Sequence, residues 1–308
     1  MQTILGGGGA IGTELAKALT AFTQQIRIVS RTPEKVNQAD DLLAADLTKE
    51  ADVDKAVAGS EIVYLVAGLP YKLKTWQEQW PLVMQNVIAA CKRHKAKLVF
   101  FDNIYLYDEK SVPHLTEQSP VNPPSKKGKV RTAIAEMLMN EMAAGTLQAM
   151  IVRAADFYGP GINSSMLLET VYKNLKKGKA AYWMGDKSKV HSFTYTPDAA
   201  KATAVLGNTP DAYNQVWHLP TSDEKLTGEA WVKLFADTMQ VKNKISPVSK
   251  TMVRLLGLFN PMMGELVEMM YQNTQDYYFD SSKFKKKFPE FRTTSYKDGV
   301  REVVAMDK

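Results

Sequence analysis

Short runs of apolar and β-branched residues recur along the first half of the chain: Thr3-Ile4-Leu5, Ile26-Arg27-Ile28-Val29, Ile62-Val63-Tyr64-Leu65-Val66, Lys97-Leu98-Val99-Phe100-Phe101 and Ala149-Met150-Ile151-Val152. Runs of this length read as strands buried on both faces, as in a parallel sheet. Between them the apolar positions fall three and four apart, as in Ile11, Leu15, Leu19 and Phe22 or in Val83, Val87 and Cys91, which predicts amphipathic helices. Strand and helix alternate, so the pattern predicts an α/β fold: a doubly wound parallel (Rossmann) sheet with right-handed crossovers. After about residue 155 the rhythm changes to longer helical stretches broken by Gly159-Pro160-Gly161, Gly185-Asp186 and Thr209-Pro210. The expected organisation is a sheet core over residues 1–155 and a smaller helix-rich C-terminal lobe over 156–308. Some segments, such as 215–219, are expected to return to the core.

Composition narrows the partners. A 45% hydrophobic chain of 308 residues has ample material for a core. Its net charge of +6 is modest, and Lys and Arg are interleaved with Asp and Glu except around 126–131 and 283–287. Nucleic acid is therefore not the expected partner, whereas a mild positive field suits a phosphorylated small molecule. Cys91 is the single cysteine, which excludes an intramolecular disulfide and points to a reducing compartment. No signal peptide is expected, because the first residues already read as a strand. The most apolar late stretch, 252–270, contains Arg254, Pro261, Glu265 and Glu268 and is not expected to span a membrane. The expectation is a cytoplasmic monomer or homodimer that meets a small-molecule substrate, with neither nucleic acid nor membrane as partner.

The clearest chemical signal is Gly6-Gly7-Gly8-Gly9-Ala10-Ile11-Gly12, which satisfies both Gly6-x-x-Gly9-x-x-Gly12 and Gly7-x-Gly9-x-x-Gly12. A sharp exit from the strand needs positive φ, a pyrophosphate needs a backbone without Cβ atoms, and Gly12 lets the helix approach the sheet. Free N–H groups and the helix dipole then face the phosphates. Position after a first strand and before an amphipathic helix is the context such a motif requires, so a nicotinamide dinucleotide is the expected cofactor. The second strand ends in Ser30-Arg31-Thr32, with no carboxylate to grip a ribose 2′-hydroxyl. Arg31 can face a 2′-phosphate through its planar fork, with Ser30 beside it, so NADP(H) is expected over NAD(H), which stays possible.

With these residues in view, the chain resembles the extended and atypical short-chain dehydrogenases/reductases, in particular their NAD-dependent epimerase/dehydratase-like branch. Ala45-Asp46-Leu47 is similar to the post-strand Asp that meets the adenine, and Val66-Ala67-Gly68 to the segment under the adenine ribose. The segment Trp80-Pro81 to Asn86-Val87 and Ala90 resembles the helix entering the fourth strand. Arg153-Ala154-Ala155-Asp156-Phe157-Tyr158-Gly159-Pro160-Gly161 resembles the family's segment lining the nicotinamide and substrate cleft. Phe193 to Ala200 and Trp217-His218-Leu219-Pro220 match its C-terminal pattern. The resemblance implies cofactor contacts from Gly6, Gly9, Ala10, Ile11, Gly12, Ser30, Arg31, Asp46, Leu47, Ala67 and Gly68, and substrate contacts from Tyr158, Met184 and His191.

The catalytic pattern departs from that family. Carbonyl chemistry there uses a Tyr, a Lys four residues on that lowers the phenol's pKa, and a Ser or Thr that orients the substrate oxygen. Here Lys127 stands at the place of the Tyr, Arg131 at the place of the Lys, and Asn103 at the place of the Ser or Thr. A Tyr-x-x-x-Lys at Tyr172 and Lys176 lies in the wrong part of the chain. If catalysis occurs, Tyr105 or Lys127 is the expected proton donor, with Asn103 orienting the substrate and Arg131 holding the nicotinamide ribose. The enzyme reading is an oxidoreductase or epimerase-like reaction on a small carbonyl or sugar-like substrate. The alternative is an NADP(H)-binding redox sensor or interaction protein without turnover. The Met- and aromatic-rich stretch from Met252 to Tyr271 reads chiefly as core; if it borders the cleft, the substrate is more apolar than a nucleotide-sugar. His94, His114, His191 and His218 are scattered, so no metal is expected.

Overall fold

In the computed structural model, which describes residues 1–162 and 165–306, the five apolar runs and one further segment form six parallel strands. These are β1 (Gln2–Leu5), β2 (Ile26–Ser30), β3 (Asp41–Ala44), β4 (Ile62–Leu65), β5 (Lys97–Asp102) and β6 (Ala149–Arg153). Shorter strands follow: β7 (Asp156–Tyr158), β8 (Ala181–Met184), β9 (Phe193–Tyr195), β10 (Val216–His218) and β11 (Ile245–Val248). The main sheet runs β10-β6-β5-β4-β1-β2-β3 with every neighbour parallel. The central strands β1 and β4 are buried at every position, as a sheet covered on both faces demands. Strand β3 was not legible in the sequence. Its Asp-Leu-Leu-Ala run is short, lies at the sheet edge and is largely exposed, and Arg27 on β2 ties it down through Asp41 at 2.7 Å.

Helices α1 (Ala10–Leu19), α2 (Glu50–Val57), α3 (Leu73–His94) and α4 (Lys126–Ala143) belong to the crossovers. The C-terminal half adds α5 (Lys173–Lys176), α6 (Thr196–Gly207), α7 (Gly228–Met239), α8 (Lys250–Gly257), α9 (Pro261–Leu266), α10 (Ser282–Lys287) and α11 (Tyr296–Ala305). One face of the sheet packs on α2, α3 and α4, the other on α1, α6 and α10. A separate core around Tyr158, Trp183, Trp231, Phe235 and Tyr296 joins β7, β8 and β9 to α7 and α11. Strand β10 returns from this late region to the main sheet, pairing Val216 with Ile151. Cys91 is buried in the first core, and burial pushes its thiol up. Among the described residues no helix is long and apolar enough to cross a membrane, and no cluster of His, Cys, Asp or Glu could hold a metal.

Candidate active site

Because the strands are parallel and in register, Leu5, Val29, Leu43 and Leu65 end side by side. The chain turns that follow, at Gly6, Arg31, Ala45 and Val66, therefore meet along one edge, where open α/β sheets take their ligands. Gly6 has φ of +104°, and a Cβ there would lie 2.4 Å from the Ala67 Cα, so only glycine can occupy the turn. A Cβ on Gly12 would meet the Gly6 carbonyl oxygen at 2.7 Å, which is why α1 can begin against the strand exit. Gly8 has open space where a side chain would stand, and Gly9, the N-cap of α1, puts no side chain over the helix start. This bare helix terminus fits a pyrophosphate. Arg31 is exposed, and its charge reaches Asp46, whose carboxyl is held low first by the Thr48 hydroxyl and N–H and further by Lys49 and Arg31.

Farther along the same edge, the segment after β5 and the start of α4 come together. Helix α4 begins at Lys126, with Ser125 as N-cap accepting from Gly128 N at 2.9 Å. A Cβ on Gly128 would sit 2.3 Å from the Tyr105 carbonyl oxygen, so the two segments touch backbone to backbone. Asp102, the last residue of β5, accepts from Arg131 Nε at 2.8 Å and from Arg153 Nε at 3.3 Å. Arg131 also lies over the Trp80 and Phe100 rings, at 4.5 and 5.0 Å. It is buried. Arg153 donates to the Tyr107 hydroxyl at 2.8 Å, and that hydroxyl lies 2.8 Å from His218 Nε2. His218 Nδ1 faces the Asp280 carbonyl at 2.8 Å, which can only accept, so Nε2 is the acceptor for Tyr107.

Lys127 has no solvent exposure. Its ammonium pairs with the carboxylates of Glu265 and Glu268, donates to the Glu265 carbonyl at 3.1 Å and lies 4.7 Å over the Tyr71 ring. Each carboxylate also meets backbone donors: Glu265 accepts from Leu73 N at 3.1 Å, and Glu268 from Lys126 N at 2.8 Å. One pair of acids from the C-terminal half thus meets the starts of α3 and α4, and both pair with Lys127.

Above this clamp sits a group of phenols that sequence reasoning only half found. Tyr105 stacks on Trp76 with centroids 6.2 Å apart, and its hydroxyl lies within hydrogen-bonding reach of Tyr71. Burial pushes both phenols well above their ordinary range, and the charge of Asp156 pushes them the same way. Tyr271 and Tyr277 are raised by burial and again by Asp156. Asp156, the first residue of β7, is partly exposed and held by His191 Nε2 at 2.9 Å. His191 is itself packed 4.6 Å from both Phe193 and Tyr277. Asn103 accepts from Tyr105 N at 3.0 Å, which leaves its Nδ2 to turn outward as a donor. The remaining substrate-side residues are placed differently. Tyr158 is fully buried among Tyr195, Trp231 and Tyr296, and Met184 packs with Val248, Val253 and Met270. Tyr71 carried one sequence signal, its place just past the end of β4; Asp156 stood in the segment already singled out.

A family model described as the NAD dependent epimerase/dehydratase family matches residues 3–218. The chain belongs to that family. Among curated relatives it is 25% identical over 173 residues to 3beta-hydroxysteroid-dehydrogenase/decarboxylase isoform 2 of Arabidopsis thaliana, a match covering 52% of this chain and 29% of that protein. It is 24% identical over 220 residues to short-chain dehydrogenase/reductase family 42E member 1 of Danio rerio, covering 65% of this chain and 56% of that one. The match thus spans about a third of the first relative and about half of the second. Among solved structures, UDP-glucose 4-epimerase of Thermus thermophilus in complex with NAD superposes with a TM-score of 0.79 at 17% identity, covering 99% of this chain and 98% of that one. The dTDP-glucose 4,6-dehydratase of Streptomyces venezuelae, with NAD and TYD bound, gives a TM-score of 0.81 at 15% identity, with 99% and 96% covered. At these identities the likeness shows a shared fold.

Proposed function

We propose that this chain binds NADP(H) along the glycine turn and reduces a carbonyl group on an apolar substrate, with the Tyr105 and Tyr71 phenols supplying the proton. The glycine cradle, with Ala10 and Ile11 opening α1, is the pyrophosphate site. Ser30 and Arg31 meet the 2′-phosphate, Asp46 and Leu47 border the adenine, and Ala67 and Gly68 pass under its ribose. The solved neighbours named above carry NAD; the preference for the phosphorylated form rests on Arg31 and the missing carboxylate after β2.

The observation that carries the proposal is the sign of the charges around the phenols. A tyrosine made to act as a base needs a nearby cation to favour its ionised form. Here burial and the Asp156 carboxylate do the opposite, so Tyr105 and Tyr71 stay protonated at neutral pH. Such a pair delivers a proton to a developing alkoxide and is poorly suited to taking one from an alcohol. When bound, the nicotinamide supplies the hydride. Asn103 Nδ2 orients the substrate oxygen, and Lys127 and Arg131 position the two segments through their ion pairs. Asp156 and Glu268 beside the phenols disfavour a diphosphate, and the nearby Tyr and Met side chains favour an apolar ligand. That two curated relatives are named for 3beta-hydroxysteroids agrees with this class.

The test follows consumption of NADPH with aldehydes, ketones, 3-ketosteroids and 4-keto-sugars. Tyr105→Phe and Tyr71→Phe are expected to lower kcat/KM by about 100-fold or more with NADPH affinity unchanged. Normal turnover in both variants overturns the assignment of the donor. Fastest turnover on 4-keto-sugars overturns the substrate class. Tight NADPH binding with no consumption on any substrate supports the non-catalytic alternative.

A further inference from the structure

The apolar stretch 252–270 divides in two. Met269 and Met270 are buried, whereas the hairpin of α8 and α9 carries its large side chains outward. Leu255 is 59% exposed, Leu258 74%, Phe259 90% and Met262 51%. Single exposed apolar residues need no explanation, but several of the largest gathered on one short hairpin form a patch that calls for a covering phase. The hairpin is well built. Ser249 caps α8 by accepting from Met252 N at 3.2 Å, and Asn260 caps α9 by accepting from Met262 N at 3.0 Å. A Cβ on Gly257 would lie 2.9 Å from the Gly264 Cα, so the two helices cross at backbone contact. Val253 points inward and anchors α8 on Met184, Val248 and Met270. The turn between the helices therefore holds Leu258 and Phe259 out on a firm support.

The charges beside this tip are positive in sum. Lys250 and Arg254 are exposed on α8, and Lys72 and Lys126 are exposed on the neighbouring starts of α3 and α4. Lys126 borders the same hollow as Pro261 and Gly264, and the charge of Lys72 reaches Glu265. The acids of the region, Glu265 and Glu268, share the single cation of Lys127, and the one negative charge they leave over is outweighed by these four exposed cations. A projecting apolar tip with a cationic collar matches the boundary of an anionic bilayer, where apolar side chains enter the acyl region and Lys and Arg meet the phosphates.

We infer that the α8–α9 hairpin docks this protein on the surface of an anionic phospholipid membrane, with Leu258 and Phe259 inserted and Lys250 and Arg254 on the headgroups. The exclusion of a spanning helix is untouched, because the hairpin lies on the membrane and does not cross it. Docking needs neither cofactor nor turnover. Its consequence is that the base of the hairpin, which holds Lys127, brings the site edge towards the lipid, where an apolar substrate partitions.

The experiment is co-sedimentation of the full chain, without cofactor, with vesicles of phosphatidylcholine alone and with about one-third phosphatidylglycerol. Binding is expected on the anionic vesicles, weakened by salt. Leu258→Ser with Phe259→Ser, both at exposed positions, is expected to weaken it at least about tenfold, and Lys250→Glu with Arg254→Glu to weaken it similarly on anionic vesicles only. Far-ultraviolet circular dichroism checks that each variant is folded. Failure of the wild type to bind either vesicle overturns the inference, as does undiminished binding by the serine variant. A concentration-dependent dimer in sedimentation velocity that the serine variant abolishes would give the face to a second copy and equally overturn it.

Discussion

At the scale of single residues the turn after β1 carries most of the cofactor reading, and it can be tested without disturbing the fold. Gly9 has only the Gly6 carbonyl near its missing Cβ, at 3.5 Å, an ordinary contact. Gly9→Ala is expected to leave Tm within about 2 °C of the wild type while weakening dinucleotide affinity at least about tenfold, because the methyl group stands where a pyrophosphate approaches. Gly6→Ala is the contrasting case: its positive φ and the Ala67 backbone make the substitution destabilising in itself. Arg31→Ala addresses the 2′-phosphate. Loss of charge-assisted hydrogen bonds predicts NADPH binding weaker by roughly 10- to 100-fold, with NADH nearly unchanged in fluorescence titration. Equal loss for both cofactors would remove Arg31 from the phosphate.

At the scale of elements the decisive feature is the clamp between the starts of α3 and α4 and the acids of the C-terminal half. Burial pushes the Glu265 carboxyl up, but the Lys127 ammonium and the Leu73 N–H outweigh it and hold the group below its ordinary range. A depressed carboxyl contributes its stability above its unfolded pKa and loses it only as pH falls through the folded value, so the clamp is closed throughout the neutral range. Lys127→Met removes the one cation both acids share. The expected loss is ~2–3 kcal/mol in denaturant unfolding, below the ~3–5 for a fully enclosed pair because the acids are partly exposed. Glu265→Gln and Glu268→Gln singly should lose less, since Lys127 keeps one partner. A Lys127→Met protein as stable as wild type would show that the clamp contributes nothing. The serial pairing of Arg131, Asp102 and Arg153 has the same logic inside the sheet edge, where Asp102 holds two guanidinium groups at once.

For the whole molecule, the hydrogen-bonded chain from Arg153 through Tyr107 and His218 to Asp280 ties β6 and β10 to the C-terminal segment. Burial holds the His218 imidazole down to about 3, against an ordinary value of 6.5. Between those values the unfolded chain takes up a proton that the folded one refuses, so stability falls as pH drops below 6.5. The share from His218 amounts to about 2 kcal/mol between pH 7 and pH 5. Unfolding by urea at both pH values should show that His218→Asn has a smaller pH slope than wild type by about one proton; equal slopes would show that His218 titrates normally.

The parallel sheet was legible in the sequence because its strands are buried on both faces and its turns need glycine for steric reasons that belong to a few adjacent residues. The starts of β1, β2, β4, β5 and β6 and the possible return of 215–219 follow from that local information. Strand β3 escaped it, because an exposed edge strand leaves no run of apolar residues. That Lys127, Arg131 and Asn103 stand where the resemblance expects the Tyr, the Lys and the Ser or Thr was a reading of the sequence alone. What replaces the pair was not, because burial and charge at a site are sums over segments far apart in sequence. Lys127 is neutralised by Glu265 and Glu268, more than 130 residues away, and Tyr105 finds Tyr71 and Asp156 only once three strands end together. The same holds for 252–270: its composition alone does not say which apolar residues face a core, and only the packing of Val253 and Met270 inward decided that Leu258 and Phe259 point out.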